Sequence, residues 1–401
     1  MIRVKLMFTD GVDIQMMNRL KTKTVMAFLI AISMFLSGCG SFKAAQDGAE
    51  RRSNTGRNTA ESPAPGIATG EKSGAGQEGN AYGNSSSDAK VGNIDLLRVK
   101  PNEVGKIMIV MFHNFVDTFM PTKLDSGEYT TTFDSFRNLL QTLYDRGYRL
   151  ISLSEYLNND ISVPAGCIPM VFTFDDGTRG QFNLVEENGR LVASRQSAVG
   201  IMEEFNRIHP DFGLKGTFYV NLGSGAFEGK GTLSQRLQYL IDRGFEIGNH
   251  TMNHINLAKA GSAAVIQKEI GGNQKKMSEL VPGYIMKTLA LPLGNSPVDG
   301  LRSYVVKGEY EGIRYENQAI MNVGWDPALS PVSRKFNPLS THRVRASGIK
   351  PVDTDLGWWL KKLSRDEQYI SDGNPLTVTV PEARVTDVDM SKLNGKKLIT
   401  Y

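Results

Sequence analysis

Two adjacent carboxylates, Asp175 and Asp176, end an apolar run and precede Gly177. The run, residues 170–174, has the composition of a strand that is buried in a sheet. Both side chains can turn toward one pocket at the frayed end of such a strand, where two close carboxylates repel unless a cation or a shared proton relieves them. A divalent metal ion would let one aspartate act as a ligand while the other stays free as a base. The same residues also fit an acidic turn, so this pair alone does not decide the chemistry.

Two of the five histidines, His250 and His254, lie four positions apart. Histidines at i and i+4 share one face of a helical turn, where both can bind one metal ion. They follow a second short apolar segment, residues 245–249, so we expect them at the carboxyl end of a strand as well. Imidazole binds zinc, iron, cobalt and nickel, and two histidines with one carboxylate leave coordination positions open. Such a pair is often a surface feature, but together with the aspartates it indicates a metal site.

The residues around both elements resemble the two main motifs of the polysaccharide deacetylases, carbohydrate esterase family 4 with the NodB-type domain. Residues 173–177, Thr-Phe-Asp-Asp-Gly, are similar to the first motif, and residues 250–254, His-Thr-Met-Asn-His, are similar to the second. Residues 216–220 resemble the strand between them, and His113 resembles the histidine of the Tyr-His segment that opens many members. We expect His113 to line the pocket or make a core hydrogen bond. The resemblance covers roughly residues 105–345 and implies a distorted (β/α) barrel that removes N-acetyl groups from a GlcNAc-type polymer.

The resemblance also implies roles for four residues. Asp175 would be the general base, and Asp176, His250 and His254 would bind one divalent metal ion. The prediction is Zn²⁺, with Co²⁺, Ni²⁺ and Fe²⁺ as alternatives. Physical chemistry agrees with this division, because such an ion polarises the acetamide carbonyl and acidifies water, whose proton Asp175 would take.

A third motif departs from the family pattern. Many members have an arginine ahead of Pro-x-Gly, whereas the matching segment here, residues 289–294, has Ala290 near that position. Pro292 and Gly294 of this segment are predicted to contact the substrate. Without that arginine, the catalytic power of the site is an open question at the level of sequence.

The proton donor for the leaving amine is not assigned by the motifs. The usual fifth motif, an apolar strand that ends in a histidine, is loosely matched at His342, which is the candidate acid. Its segment also carries Arg343 and Arg345, which fit the binding of substrate or of structural carboxylates equally well. The fourth motif, an acidic residue near a tryptophan, is matched at Trp325 and Asp326.

Alternating strands and helices must position these residues. Apolar runs predict strands at residues 107–112, 170–174 and 216–220, and apolar residues at helical spacing predict helices at residues 133–146, 199–207 and 235–243. Gly147 and Gly244 follow two of these helices as stop signals. This alternation is typical of βα units around a parallel sheet or barrel, in which catalytic groups collect at the carboxyl ends of the strands.

The first 98 residues are predicted to lie outside the fold. Basic residues precede an apolar run at residues 25–36 that is too short to span a bilayer, as in a secretory signal. The run ends in Leu-Ser-Gly-Cys, which resembles a bacterial lipobox, so residues 1–38 are assigned to a signal peptide and Cys39 to lipidation. An uncleaved anchor helix is the alternative. Residues 39–98 are predicted to be a flexible Gly- and Ser-rich tether with a reach of roughly 40 Å.

The remaining chain is divided into the barrel, residues 99–350, and a C-terminal extension that packs on it, residues 351–401. The stretch at residues 178–197 is either a substrate-facing insertion or a solvated decoration. The net charge of +4 is small and mixed along the chain, which argues against a nucleic-acid partner. The two cysteines exclude an intramolecular disulfide framework, and the protein is expected to be a monomer.

Three functions are compatible with these features. The first is a metal-dependent N-deacetylase that acts on poly-GlcNAc or peptidoglycan from a lipid anchor on the outer face of the cell membrane. The second is a glycan-binding lipoprotein with weak or no turnover. The third is another metal amidohydrolase, acting on chitin-like oligomers or on a non-sugar amide.

Overall fold

The computed structural model describes residues 94–123 and 125–401. The predicted signal peptide, Cys39 and nearly all of the predicted tether lie outside these residues. Within the described ranges, no helix is both long enough and apolar enough to cross a membrane.

Sixteen strands and eight α-helices make up the described chain. In chain order the strands are β1 (Met108–Phe112), β2 (Asn114–Val116), β3 (Thr130–Thr132), β4 (Tyr148–Leu150), β5 (Ile168–Asp175), β6 (Leu184–Glu187), β7 (Arg190–Ala193), β8 (Thr217–Val220), β9 (Glu246–Asn249), β10 (Thr288–Ala290), β11 (Lys307–Tyr310), β12 (Ile313–Glu316), β13 (Ala319–Met321), β14 (Val344–Arg345), β15 (Thr377–Val380) and β16 (Lys397–Thr400). The helices are α1 (Leu96–Val99), α2 (Phe133–Asp145), α3 (Leu153–Leu157), α4 (Ala198–Ile208), α5 (Leu233–Asp242), α6 (Ala263–Leu280), α7 (Ser303–Val306) and α8 (Leu356–Lys362). The predicted strands and helices are all present, with ends that shift by one or two residues.

The main sheet has eight strands, and every pairing within it is parallel. Its order is β13-β10-β9-β8-β5-β1-β14, and β4 pairs with the first half of β5. Two isolated parallel bridges, Met321–Thr341 and Gly324–Val344, join the two ends of this path. The sheet therefore curls into a distorted (β/α) barrel, which confirms the predicted fold class.

Strand β5 shows how the apolar sequence fixes the direction of each side chain. All eight of its residues are buried, because one face meets the barrel interior and the other meets the helices. Phe172 and Phe174 belong to the core under the helices, whereas Val171 belongs to the core inside the barrel. Side chains alternate along a strand, so Thr173 and Asp175 share the interior face with Val171. The last residue of the strand thus places its carboxylate inside the barrel mouth.

The C-terminal extension contacts the segment that leads into β1. Backbone bridges join Asn102 to Ile370 and Lys106 to Gln368. Between them lies Glu103, a buried carboxylate that accepts hydrogen bonds from the backbone N–H groups of Thr379 (2.7 Å) and Asp372 (3.2 Å). The extension is therefore tied to the start of the barrel by backbone pairing and by one buried acidic side chain.

Burial raises the pKa of Glu103 from 4.5 to about 8, and the charge of Asp372 adds to the rise against the two backbone N–H groups. The folded protein therefore holds this proton more tightly than the unfolded chain, so stability falls as the pH rises between 4.5 and about 8. Replacing Glu103 by glutamine removes this titration. We expect the melting temperature of the wild type to decrease, relative to that of Glu103→Gln, as the pH rises from about 5 to about 9.

Thermal unfolding across that pH range measures the difference. Glu382→Gln, at an exposed position of the same extension, is the matched control and should run parallel to the wild type. Parallel curves for Glu103→Gln and the wild type would contradict the prediction.

Candidate active site

The two adjacent aspartates diverge at the carboxyl end of β5. Asp175 is the last residue of the strand and keeps its interior direction. Asp176 has a φ of 80°, in the left-handed region, and its backbone N–H donates to the carbonyl of Tyr219 on β8. This change of conformation releases Asp176 from the strand alternation, so its carboxylate points toward the loop that follows β9.

That loop carries both histidines, and it is not a helical turn as predicted. Thr251 and His254 both have positive φ values, 64° and 53°, so the segment folds back on itself. Side chains replace the missing helical hydrogen bonds: Asn249 Oδ1 accepts from the Thr251 N–H at 2.9 Å, and a Glu269 carboxylate oxygen accepts from the Asn253 N–H at 2.9 Å. The prediction of a helical pair was wrong in local geometry, although both histidines do reach one site.

Asp176, His250 and His254 form a compact set of metal-ligand atoms. One atom from each residue lies within 4.8 Å of the others, and Asp176 Oδ1 is 3.5 Å from Nε2 of each histidine. His250 Nδ1 lies 2.9 Å from the carbonyl oxygen of Ala290. A proton on Nδ1 would donate to that carbonyl and leave the Nε2 lone pair facing the set, which is the usual outer-shell arrangement of a metal-binding histidine. The three residues therefore fit a divalent metal ion.

The set is reachable from solvent on one side only. The His250 side chain is 2% exposed, whereas those of Asp176 and His254 are 34% and 37% exposed. Burial lowers the pKa of His254, and the neighbouring His250 lowers it further, which favours the neutral imidazole that binds metals. Burial also opposes charge on His250, but the two aspartates outweigh it and raise the pKa of His250.

Arg343 holds the remaining aspartate. Its guanidinium, fully buried, donates from Nη1 and Nη2 to the two oxygens of Asp175 at 2.6 and 2.8 Å. It also donates to Thr173 Oγ1 at 3.2 Å and to the carbonyl of Asn322 at 3.1 Å. Burial alone would raise the pKa of Asp175, but Arg343 outweighs it, with help from His250, and lowers that pKa to about 2. Asp175 is thus a fixed, ionised carboxylate.

Arg343 is the main functional residue that the motifs do not assign. Its guanidinium pairs with Asp175, so the change to Ala290 in the third motif does not leave this aspartate without an arginine. Ala290 is buried instead, and its carbonyl accepts from His250. The signal in the sequence was the alternation of Arg343 and Arg345 with the apolar Val344 and Ala346, which predicts a strand with both arginines on one face. A buried arginine there requires an acidic or carbonyl partner.

His113 lies on the other side of Asp175. Its Nε2 is 4.0 Å from Asp175 Oδ2, and its Nδ1 is buried without a hydrogen-bond partner. Burial lowers the pKa of His113. Gln181 Nε2 donates to the His113 carbonyl at 2.6 Å and also contacts the carbonyl of Asp175. The prediction that His113 lines the pocket agrees with this position, whereas the role of Gln181 was not predicted.

The family model described as polysaccharide deacetylase matches residues 163–308, which contain both aspartates and both histidines. The chain carries a polysaccharide deacetylase domain. This match confirms the family and the enzyme class predicted from the two motifs, a polysaccharide N-deacetylase among the hydrolases.

Several solved structures resemble the deacetylase domain. The Streptococcus pyogenes deacetylase PplD in complex with acetate is 19% identical, with a TM-score of 0.47 over 65% of this chain and 98% of that one. A polysaccharide deacetylase from Bacillus cereus is 17% identical, with a TM-score of 0.46 over 65% and 69%. IcaB from Ammonifex degensii is 15% identical, with a TM-score of 0.41 over 61% and 92%. No curated protein matches the chain in sequence.

The candidate acid His342 does not join the site of the deacetylase domain. It is exposed and lines two cavities, one of about 410 Å³ with Asp326 and Lys106 and one of about 630 Å³ with Gly294 and Asn322, whereas no metal-set residue lines either of them. Strand alternation explains the difference, because His342 has the same parity as Val344, which packs into the core under the helices. Arg343, between them, faces the interior. His342 therefore lies outside the metal set, and its role as the acid, with Asp326 as the fourth motif, stays a prediction.

The third-motif residues lie in the turn after β10. Pro292 is buried, and its ring fixes the turn. Gly294 has a φ of 69°, and a Cβ there would lie 2.8 Å from Val323 Cβ, so the position requires glycine. Gly294 lines a cavity of about 630 Å³ beside Trp325 and Asn322. Contact of Pro292 or Gly294 with a substrate stays a prediction.

The stretch at residues 178–197 divides into two parts. Its beginning carries Gln181, which holds the backbone of the site. The rest forms the β6–β7 hairpin, in which Glu186, Glu187 and Arg190 are exposed. Only the first part contributes to the site, and the hairpin tip is a solvated decoration.

Proposed function

We propose that this protein is a metal-dependent enzyme that removes N-acetyl groups from a GlcNAc-containing polysaccharide at the cell surface. The observation that carries the proposal is that two adjacent aspartates at the barrel mouth have different surroundings. Asp176, His250 and His254 form a set of metal ligands, and Asp175 beside them is an ionised carboxylate clamped by Arg343. One aspartate is thus available to a metal ion and the other is reserved for proton transfer.

A divalent ion held by the three ligands supplies the positive charge that polarises the acetamide carbonyl and acidifies a water molecule. Arg343 occupies both oxygens of Asp175, so it fixes the carboxylate in place and keeps it ionised. Asp175 is then ready to accept the water proton as the water oxygen forms its bond to the acetyl carbon.

His113 is the group that completes the proton path. Its Nε2 is 4.0 Å from Asp175 Oδ2, a separation that a small movement shortens to a hydrogen bond. The proton passes from Asp175 to His113 and from there to the nitrogen as the carbon–nitrogen bond breaks. The hydroxyl of water ends on the acetyl group and its other hydrogen on the amine, so acetate and a free amine leave. His113 takes the role that the sequence had offered to His342.

Several features of the sequence support the substrate class and the location. The two motifs resemble those of enzymes that act on GlcNAc-type polymers, and the lipobox-like segment that ends at Cys39 supports a lipid anchor. A flexible tether over residues 39–98 would carry the domain roughly 40 Å from the membrane toward the wall. The pairing of Arg343 with Asp175 supports turnover over a glycan-binding protein without it, because an arginine holds this aspartate despite Ala290 in the third motif.

The test is acetate release from GlcNAc pentamers and from peptidoglycan by metal-stripped protein, before and after addition of Zn²⁺, Co²⁺ or Ni²⁺. We expect turnover only with added metal. His254→Ala removes one of three ligands, so we expect it to lose bound metal and turnover together. Metal content by elemental analysis separates this loss from a loss of chemistry alone.

His342→Ala is the matched control for metal binding, because His342 is exposed and does not belong to the ligand set. It should keep both its metal and its turnover. Glycan binding without acetate release under any metal would overturn the enzymatic proposal and support a binding lipoprotein. Acetate release from a non-sugar amide but from neither glycan would support another amidohydrolase.

A further inference from the structure

The segment that carries Arg343 brings a second arginine to the same face. Val344 and Ala346 pack into the core under the helices, so Arg343 and Arg345 both face the opposite side. Arg345 pairs with Met111 in the parallel register of β14 and β1. It therefore lies two residues nearer than Arg343 to the carboxyl end of the barrel strands, at the mouth of the site.

Aromatic contacts link Arg345 to the reacting groups. Its guanidinium carbon lies 5.0 Å from the centroid of the Tyr129 ring. The Tyr129 ring meets the His113 ring edge-on, with centroids 5.1 Å apart, and His113 in turn approaches Asp175. Stacking on an aromatic face orients a guanidinium and leaves its N–H edge free. Arg345 is thus a positioned cation beside the proposed proton path.

The two arginines differ in their partners. Arg343 is paired with both oxygens of Asp175, so that carboxylate already has its counterion. Within residues 94–123 and 125–401, the side chain of Arg345 makes no ion pair and no hydrogen bond. The acidic groups of the nearby loop are engaged elsewhere, since Asp125 accepts from Thr130 and Glu128 from Ser126.

A half-buried guanidinium that is held in place but lacks an anion is suited to a ligand carboxylate, which matches its fork of N–H donors. We propose that Arg345 binds a carboxylate group at the mouth of the active site. That carboxylate is either a substituent of the glycan, such as a lactyl ether or a uronic acid, or the acetate released by the reaction. This inference rests on the proposed function and makes it more specific, because a neutral GlcNAc polymer offers no such group.

The experiment compares wild type, Arg345→Gln and Arg345→Lys on two oligomers of equal length, one of GlcNAc alone and one with alternate sugars that carry a lactyl carboxylate. For Arg345→Gln we expect kcat/KM to fall about tenfold or more on the carboxylate oligomer, and about threefold or less on the neutral one. Arg345→Lys keeps the positive charge but lacks the paired N–H donors of the guanidinium. Its kcat/KM on the carboxylate oligomer should therefore lie between those of the wild type and Arg345→Gln. Inhibition of the neutral reaction by added acetate is measured in parallel.

Each outcome decides between the sources or against the proposal. A selective loss on the carboxylate oligomer assigns the site to a glycan substituent, whereas weaker acetate inhibition alone assigns it to the product. An equal loss on both oligomers, or no change in all three measurements, would overturn the proposal. Arg314→Gln, an exposed arginine on β12, controls for net charge. If the wild type turns over neither oligomer, the proposed function fails, and the same comparison is made on dissociation constants for both oligomers and for acetate.

Discussion

Replacing Arg343 by methionine is expected to lower the free energy of unfolding by about 3–5 kcal/mol, because it leaves the buried carboxylate of Asp175 without its counterion. Methionine fills a similar volume, so packing changes little and the charge dominates. We also expect turnover to collapse, since the carboxylate then protonates or moves. Urea unfolding measures the first effect, and acetate release measures the second.

The double variant Asp175→Asn/Arg343→Met distinguishes this explanation from simple damage to the core. With both charges removed, no ion is buried alone, so part of the lost stability should return. A double variant that is as unstable as the sum of the single variants would show that the ion pair is not the cause. Arg343→Lys is expected to fold but to lose turnover, because an ammonium cannot hold both carboxylate oxygens.

Asp175→Asn is expected to reduce kcat by about 10²–10⁴-fold while the protein keeps its metal. The asparagine cannot accept the water proton, whereas the ligand set Asp176, His250 and His254 is unchanged. Acetate release and metal content on the same preparation check both parts. Loss of metal in Asp175→Asn, or survival of turnover, would show that the roles of the two aspartates are assigned wrongly.

His113→Gln is the companion variant, because it removes the second member of the proposed proton path at the opposite side of Asp175. We expect a fall in kcat of similar size, again with metal retained. Full activity in His113→Gln would leave Asp175 as the base but would exclude His113 as the group that passes the proton to the amine.

The sequence predicted those parts of the site that depend on local patterns. The apolar run of β5 and its terminal carboxylates predicted a strand that ends at a site, and the two histidines predicted the second half of the ligand set. The geometry of the histidine loop was not predictable, because it depends on positive φ values at Thr251 and His254, which are not glycines. Those conformations are stabilised by backbone N–H groups of the loop that donate to Asn249, two residues before Thr251, and to Glu269 on α6.

The partners of Asp175 come from distant parts of the chain, and no local pattern could bring them together. Arg343 lies 168 positions beyond Asp175. The barrel closure places them side by side, and the alternation around Val344 decides that Arg343 faces the interior while His342 does not. The histidine that the motif comparison indicated, His342, is therefore the chain neighbour of the residue that contacts Asp175. The contacts of Gln181 likewise depend on the backbone path after the first motif and not on its own flanks.

The seam that closes the barrel, formed by the bridges Met321–Thr341 and Gly324–Val344, is continuous with the segment that carries Arg343. Arg343 also donates to the carbonyl of Asn322 on the far side of that seam. The same guanidinium therefore stabilises the closure of the barrel and neutralises Asp175. Parting the seam would leave a buried anion exposed to protonation and would switch off proton transfer. A long polymer must therefore reach the reacting groups without opening this edge of the barrel. Slow exchange of the Thr341 amide, which donates to the Ile320 carbonyl across the seam, would accompany activity.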